Sequence, residues 1–178
     1  MSVVAVKLYP DKITIAADSI LIKDDLKKTN FKKLYKFKDI IVAGCGSAEE
    51  LSLFFKFAEE FTPSSCDING IREYMKTFSD VLEDCYNDRK INNDYIIIYK
   101  GHVFEVEGMF VQEIINYTAI GEGEPYALAA LYLGHTVKDA VRAACKFSCF
   151  VSEPIVVEEV PRKIEKKLEK IIENIKSN

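Results

Sequence analysis

Apolar positions follow two rhythms along this chain, one of period two and one of three to four. Residues 2–8 are β-rich, and Pro10-Asp11 marks a turn. Residues 12–18 follow as a second strand, with Ile13 and Ile15 on one face and the small Ala17 continuing it, so the two stretches predict a hairpin. Residues 19–32 are polar and predict a loop. Residues 34–37 and 40–44 predict another hairpin, turning near Lys38-Asp39. The rhythm then changes. Ser47-Ala48-Glu49-Glu50 has the form of a capping box, serine at the N-cap and glutamate three residues on, and predicts a helix to about Phe61. Thr62-Pro63-Ser64-Ser65 breaks it. Ile71, Tyr74, Met75, Phe78, Val81 and Leu82 recur at helical spacing and predict a second helix over 71–86.

The second half repeats this order. Residues 94–100, with Tyr95, Ile96, Ile97, Ile98 and Tyr99, predict a strand that turns at Gly101-His102 into 103–106, and 110–115 and 118–121 complete a sheet. Residues 123–133 predict a helix rich in small residues (Ala127, Ala129, Ala130), closed by Gly134. Thr136 and Asp139 open another helix to 147, and 155–160 predict a last strand. From Pro161, at a first-turn position, Ile164, Leu168, Ile171, Ile172 and Ile175 give a charged amphipathic helix over 161–178. Strands in blocks and helices in pairs point to an α+β fold, a four-layer αββα sandwich with two antiparallel sheets between helical layers. Residues 1–160 form its domain, and 161–178 extend it. No internal repeat or linker interrupts the chain.

Bulk properties narrow the function classes. A chain of 178 residues with 48% hydrophobic content supports one domain with a sizeable core. The net charge is -4 with lysine and glutamate interspersed, which argues against nucleic acid as a partner. No apolar run approaches the ~20 residues of a membrane span, and the first residues lack the basic start of a signal peptide. Cys45, Cys66, Cys85, Cys145 and Cys149 are odd in number and contain no Cys-x-x-Cys pair, which fits a reducing cytoplasm rather than a disulfide framework or zinc site. His102 and His135 are too scattered for a metal. Gly121-x-Gly123 lacks the full glycine fingerprint of phosphate binding. No cofactor is expected.

Five strings, in order, resemble the β-type subunits of the proteasome core and the bacterial peptidase HslV, members of the N-terminal-nucleophile hydrolases. They are Val4-Ala5-Val6-Lys7, Ile15-Ala16-Ala17-Asp18-Ser19, Lys32-Lys33-Leu34, Ala43-Gly44-Cys45-Gly46-Ser47-Ala48-Glu49, and Tyr117-Thr118-Ala119-Ile120-Gly121-Glu122-Gly123 with Tyr126-Ala127-Leu128-Ala129-Ala130 after it. The resemblance spans roughly residues 1–160. It implies a cytoplasmic, ring-forming homo-oligomer that cleaves polypeptide, with an ATPase or related partner subunit in some arrangements and no membrane role.

The implied chemistry has a simple physical logic. A hydroxyl is a weak nucleophile at neutral pH and needs an adjacent base. An α-amine titrates near ~8 and can carry the proton. Ser2 is the candidate nucleophile, exposed by removal of Met1, a removal that the small serine side chain favours. By resemblance, Asp18 and Lys33 match the family's carboxylate and lysine, and Cys45 with Gly46 sits at the oxyanion turn, where main-chain N–H groups stabilise developing charge. Bland readings stand beside these. Asp18 can cap a turn, Lys33 lies in a lysine-rich stretch that reads as a solvated face, and Cys45 reads as a small buried residue.

The chain also departs from the family. Aligning Val4-Ala5-Val6-Lys7 places Met1 on the nucleophile position, whereas the sixteen-residue separation from Ser2 to Asp18 places Ser2 there; a one-residue slip reverses which way the side chain points. Glu122 stands where the family has serine. Ser148 and Val151 stand where it has a supporting aspartate and serine, with Glu122 and Glu153 as candidate substitutes. Three functions follow: a peptidase using Ser2, a ring-forming or partner-binding subunit that has lost its chemistry, and a hydrolase of small amides.

Overall fold

The computed structural model describes residues 2–23, 26–28 and 30–162; Met1 and residues 163–178 of the helix expected over 161–178 lie outside them. The elements run β1 (Val4–Leu8), β2 (Lys12–Ala17), β3 (Leu21–Lys23), β4 (Leu26–Lys28), β5 (Leu34–Phe37), β6 (Ile40–Cys45), α1 (Ala48–Glu60), α2 (Ile68–Tyr86), β7 (Asp94–Tyr99), β8 (His102–Glu107), β9 (Phe110–Ile114), β10 (Tyr117–Ile120), α3 (Glu124–Tyr132), α4 (Val137–Phe147) and β11 (Val156–Pro161).

Among the described residues one sheet has the order β10-β1-β2-β11 and another β5-β6-β7-β8-β9, and all their pairings are antiparallel. Central strands are apolar on both faces, and the alternation shows where each face goes. In β6, Ile40 and Val42 join the core under α1 and α2, while Ile41, Ala43 and Cys45 join the core between the sheets. In β1, Val4, Val6 and Leu8 face the other sheet, while Ala5 packs under α3 and α4. Three stacked cores therefore separate four layers: α1 and α2, the five-stranded sheet, the four-stranded sheet, and α3 and α4. The expected αββα sandwich is the observed one.

Three local expectations are corrected. The loop expected over 19–32 contains the hairpin of β3 and β4, pairing Leu21 with Lys28 and Lys23 with Leu26. Its pairing is local and outside the two large sheets, so it carries no core-facing pattern to read. Pro161 ends β11 opposite Lys12 rather than starting a helix; a proline tolerates a strand end, where no ladder N–H is needed. The capping box does not form. Ser47 is the N-cap of α1 but makes no side-chain cap hydrogen bond. Glu50 instead accepts from the Asn92 and Asn93 N–H groups at 3.1 Å each and from the Tyr95 hydroxyl at 2.9 Å. These donors around a buried carboxylate outweigh the one N-cap N–H that a capping glutamate would reach.

Candidate active site

β1 lies between β10 and β2, so its leading end is held from both sides. The Asp18 N–H donates to the Val3 carbonyl at 3.2 Å and the Gly123 N–H donates to the Ser2 carbonyl at 3.0 Å, carrying one edge of the strand back to Val3 and the other to Ser2. The turn at Tyr9, whose N–H reaches the Lys12 carbonyl at 2.7 Å, sets the register that pairs Val4 with Ala17. In that register Ser2 is buried and lines a small cavity of about 40 Å³ together with Ile20, Leu21, Ile22, Phe31, Lys33, Gly46 and Leu51. This register brings Ser2 to the same cavity as Lys33 and Gly46.

Lys33 is not on a solvated face. Its side chain is 2% exposed and its Nζ donates to Asp18 Oδ1 at 2.8 Å, with Asp18 fully buried. The lysine-rich context misleads because Lys33 falls at the entry to β5, where the backbone turns inward; its carbonyl accepts from the Gly44 N–H at 3.1 Å. Asp18 is more than a turn cap. Oδ1 also accepts from the Val3 N–H at 2.9 Å, and Oδ2 accepts from the Ile20 N–H at 3.1 Å and the Ser152 N–H at 3.4 Å. Charge-assisted bonds of this kind hold a buried carboxylate in one orientation. The Ser152 contact had no sequence signal, since it comes from a main-chain group in an irregular segment.

Gly46 follows β6 with φ of +133°, a conformation open to glycine and closed to residues with a Cβ. Cys45 is the last residue of β6 and its side chain is not among those lining the cavity. Its thiol points into the inter-sheet core, donating towards the Ile120 carbonyl at 3.6 Å, and burial pushes its pKa up to about 12. At neutral pH it stays protonated, which disfavours it as a nucleophile. Gly121 is required close by: a Cβ there would lie 2.6 Å from the Ser2 carbonyl oxygen and 2.8 Å from Cys45 Sγ.

The late-chain departures are visible as well. Glu122 is exposed, and Glu153 is at the surface with Arg142 Nε at 3.8 Å; neither lines the cavity. Ser148 Oγ accepts from the Phe150 N–H, and Val151 is buried against Gly123. Among the described residues no group of histidine, cysteine, aspartate and glutamate could hold a metal ion, and no helix is long and apolar enough to cross a membrane.

No protein-family model matches the sequence, and no curated protein matches it either. Solved structures do. BPH of Thiobacillus denitrificans is similar over 92% of this chain and 100% of its own, with a TM-score of 0.81 and 25% identity. The same protein in complex with epoxomicin gives a TM-score of 0.82 at 22% identity over 91% of this chain and 100% of its own. HslV from Trypanosoma brucei gives 0.69 at 18% identity, over 89% of this chain and 99% of its own. This chain has the proteasome-like N-terminal-nucleophile hydrolase fold. Anbu, the ancestral β-subunit from Yersinia bercovieri, has that fold too and matches 99% of this chain and 97% of its own, with a TM-score of 0.70 at 13% identity. In this proteasome-like fold the leading end of β1, the Asp18–Lys33 pair and the Gly46 turn converge on one cavity.

Proposed function

We propose that this chain is a peptidase subunit in which Ser2, made N-terminal by removal of Met1, is the nucleophile. The observation that carries the reading is the shared cavity: Ser2, Lys33 and Gly46 border one small space, with Lys33 fixed by Asp18. The Ser2 hydroxyl attacks the peptide carbonyl and gives its proton to the freed α-amine, which passes it to the leaving amine. Lys33 supplies fixed positive charge beside the reacting atoms, and Asp18 holds Lys33. Cys45 and Gly46 form the oxyanion turn through their main chain. The Ser47 N–H is already engaged by Asn93 Oδ1 at 2.6 Å, so Gly46 N–H is the assigned donor. Water then cleaves the acyl ester with the α-amine as base.

The ion pair also weighs against a subunit that has lost its chemistry. A buried pair gives a fold little that a well-packed apolar pair of similar volume would not give. Its presence here is better accounted for by a working site. The narrowness of the cavity, about 40 Å³, favours one second reading, hydrolysis of small amides on the same fold. Ring assembly as a homo-oligomer fits the exposed apolar residues Tyr126, Tyr132, Leu133, Phe147 and Phe150 clustered on and after α3 and α4. The resemblance adds a cytoplasmic setting and an ATPase or related partner as expectations.

Intact mass with and without a peptide β-lactone tests the assignment. Loss of Met1 with one covalent adduct, absent in Ser2→Ala, is the expected result, and Ser2→Ala should lower peptide cleavage roughly 10⁴-fold or more with assembly intact. Undiminished cleavage by Ser2→Ala would remove Ser2 from the mechanism. Cleavage of short amides but not of unfolded protein would favour the second reading.

A further inference from the structure

The Gly46 turn raises a physical problem. A glycine at φ +133° has more conformational freedom than any other residue, yet an oxyanion donor works only if it is already aimed when charge develops. One side of the turn is fixed by the sheet, because Cys45 pairs with Asp94 in the β6–β7 ladder. What fixes the other side is a single side chain. Asn93, 1% exposed and immediately before β7, accepts from the Ser47 N–H with Oδ1 at 2.6 Å and donates to the Ser47 carbonyl with Nδ2 at 2.8 Å. The same side chain covers Gly46, since a Cβ on Gly46 would lie 2.0 Å from Asn93 Oδ1. Asn93 is itself held, its N–H bonded to Glu50, whose carboxylate also gathers the Asn92 N–H and the Tyr95 hydroxyl.

We infer that Asn93 is a positioning residue for the oxyanion turn, acting through Ser47 and Gly46, with Glu50 as its anchor. An amide suits this role because it offers an acceptor and a donor at once and grips both the N–H and the C=O of one residue. A carboxylate would meet only the N–H, and an apolar side chain of the same size would meet neither. The contact also uses up the Ser47 N–H, which leaves the Gly46 N–H as the donor assigned to the turn. The inference rests on the peptidase reading of the Ser2 cavity.

The test compares wild type, Asn93→Asp and Asn93→Leu by peptide hydrolysis, by the rate of β-lactone labelling at Ser2, and by amide hydrogen exchange at Gly46 and Ser47. Misplacing a catalytic group by about 1 Å can lower a rate roughly 10²-fold. Asn93→Leu should therefore lose about 10²-fold in kcat and labelling rate with KM little changed, and Asn93→Asp, which keeps the acceptor for Ser47, should fall between it and wild type. Exchange at Ser47 should quicken in the same order. Wild-type kcat in Asn93→Leu would overturn the inference while leaving the peptidase reading standing. So would equal losses in both variants, or losses that simply follow the melting temperature. Absence of labelling and hydrolysis in wild type would overturn both readings together, and exchange at Ser47 unchanged in Asn93→Leu would show that Asn93 does not hold the turn.

Discussion

The two helical layers of this sandwich cover their sheets by opposite means. Under α1 and α2 the filling is aromatic: Phe54 lies 4.1 Å from Tyr95 and 4.8 Å from Phe78 between ring centroids, and Phe57 lies 4.8 Å from Tyr74. Under α3 and α4 it is mostly alanine, with Ala5, Ala16 and Ala119 from the sheet meeting Ala127, Ala130, Ala140 and Ala144 from the helices. The first layer gains stability from area and interlocked rings. The second gains it from close approach of backbones, and that closeness is what lets the Gly123 N–H reach the Ser2 carbonyl. So the layer with the smaller side chains is the one that fixes the start of β1. The bulky layer lies on the other sheet and reaches the site through α1, whose Leu51 lines the cavity.

If this contrast is right, the layers should fail in opposite directions. The largest effect is expected for Phe54→Ala, which removes a fully buried ring and should lower unfolding free energy by about 3–5 kcal/mol in urea denaturation. A loss under ~1 kcal/mol would mean that the aromatic layer can collapse around the hole. Lys33→Met, at the seam between the sheets, should cost about 3–5 kcal/mol as well, because it strips a buried carboxylate of its cation. A near-neutral result would show that the N–H donors to Asp18 suffice alone and would confine Lys33 to chemistry. In the alanine layer the damaging change is an addition. A methyl on Gly123 would lie 2.8 Å from Val3 Cβ and 2.9 Å from Ala144 Cβ, so Gly123→Ala should destabilise by about 1–3 kcal/mol and slow labelling at Ser2. Unchanged stability there would erase the distinction between the layers.

The fold was largely legible in the sequence because its two periods are clean. Ile40 to Cys45 and Tyr95 to Tyr99 are apolar on both faces, as strands with a core on each side must be, and α2 shows its stripe through Tyr74, Met75 and Phe78. Asp67, whose side chain accepts from the Gly70 N–H at 2.9 Å, starts α2 one turn earlier than the apolar stripe suggests. The site was legible only in part. Ser2, Asp18, Lys33, Cys45 and Gly46 are candidates by resemblance and spacing, and the structure brings Ser2, Lys33 and Gly46 to one cavity. The burial of Lys33 was hidden by neighbouring lysines, and the role of Glu50 was masked by a local pattern that matched a helix cap. Asn93 and Ser152 gave no sign, because the Asn93 amide grips the main chain of Ser47 and Ser152 reaches Asp18 through its own N–H, and a single sequence does not show which peptide groups folding will bring within reach.

The place of β1 in its sheet bears on when the chain can act as well as how. The strand is made before every other element described here, yet its neighbour β10 is made only about two-thirds of the way along the chain, and β11, which backs β2, is the last of the described elements. Pairings so distant in sequence form slowly and late. On the peptidase reading, a growing chain therefore carries Ser2 before it has the neighbours that would arm it, and the order of synthesis delays any cleavage until β10 and β11 have joined the sheet.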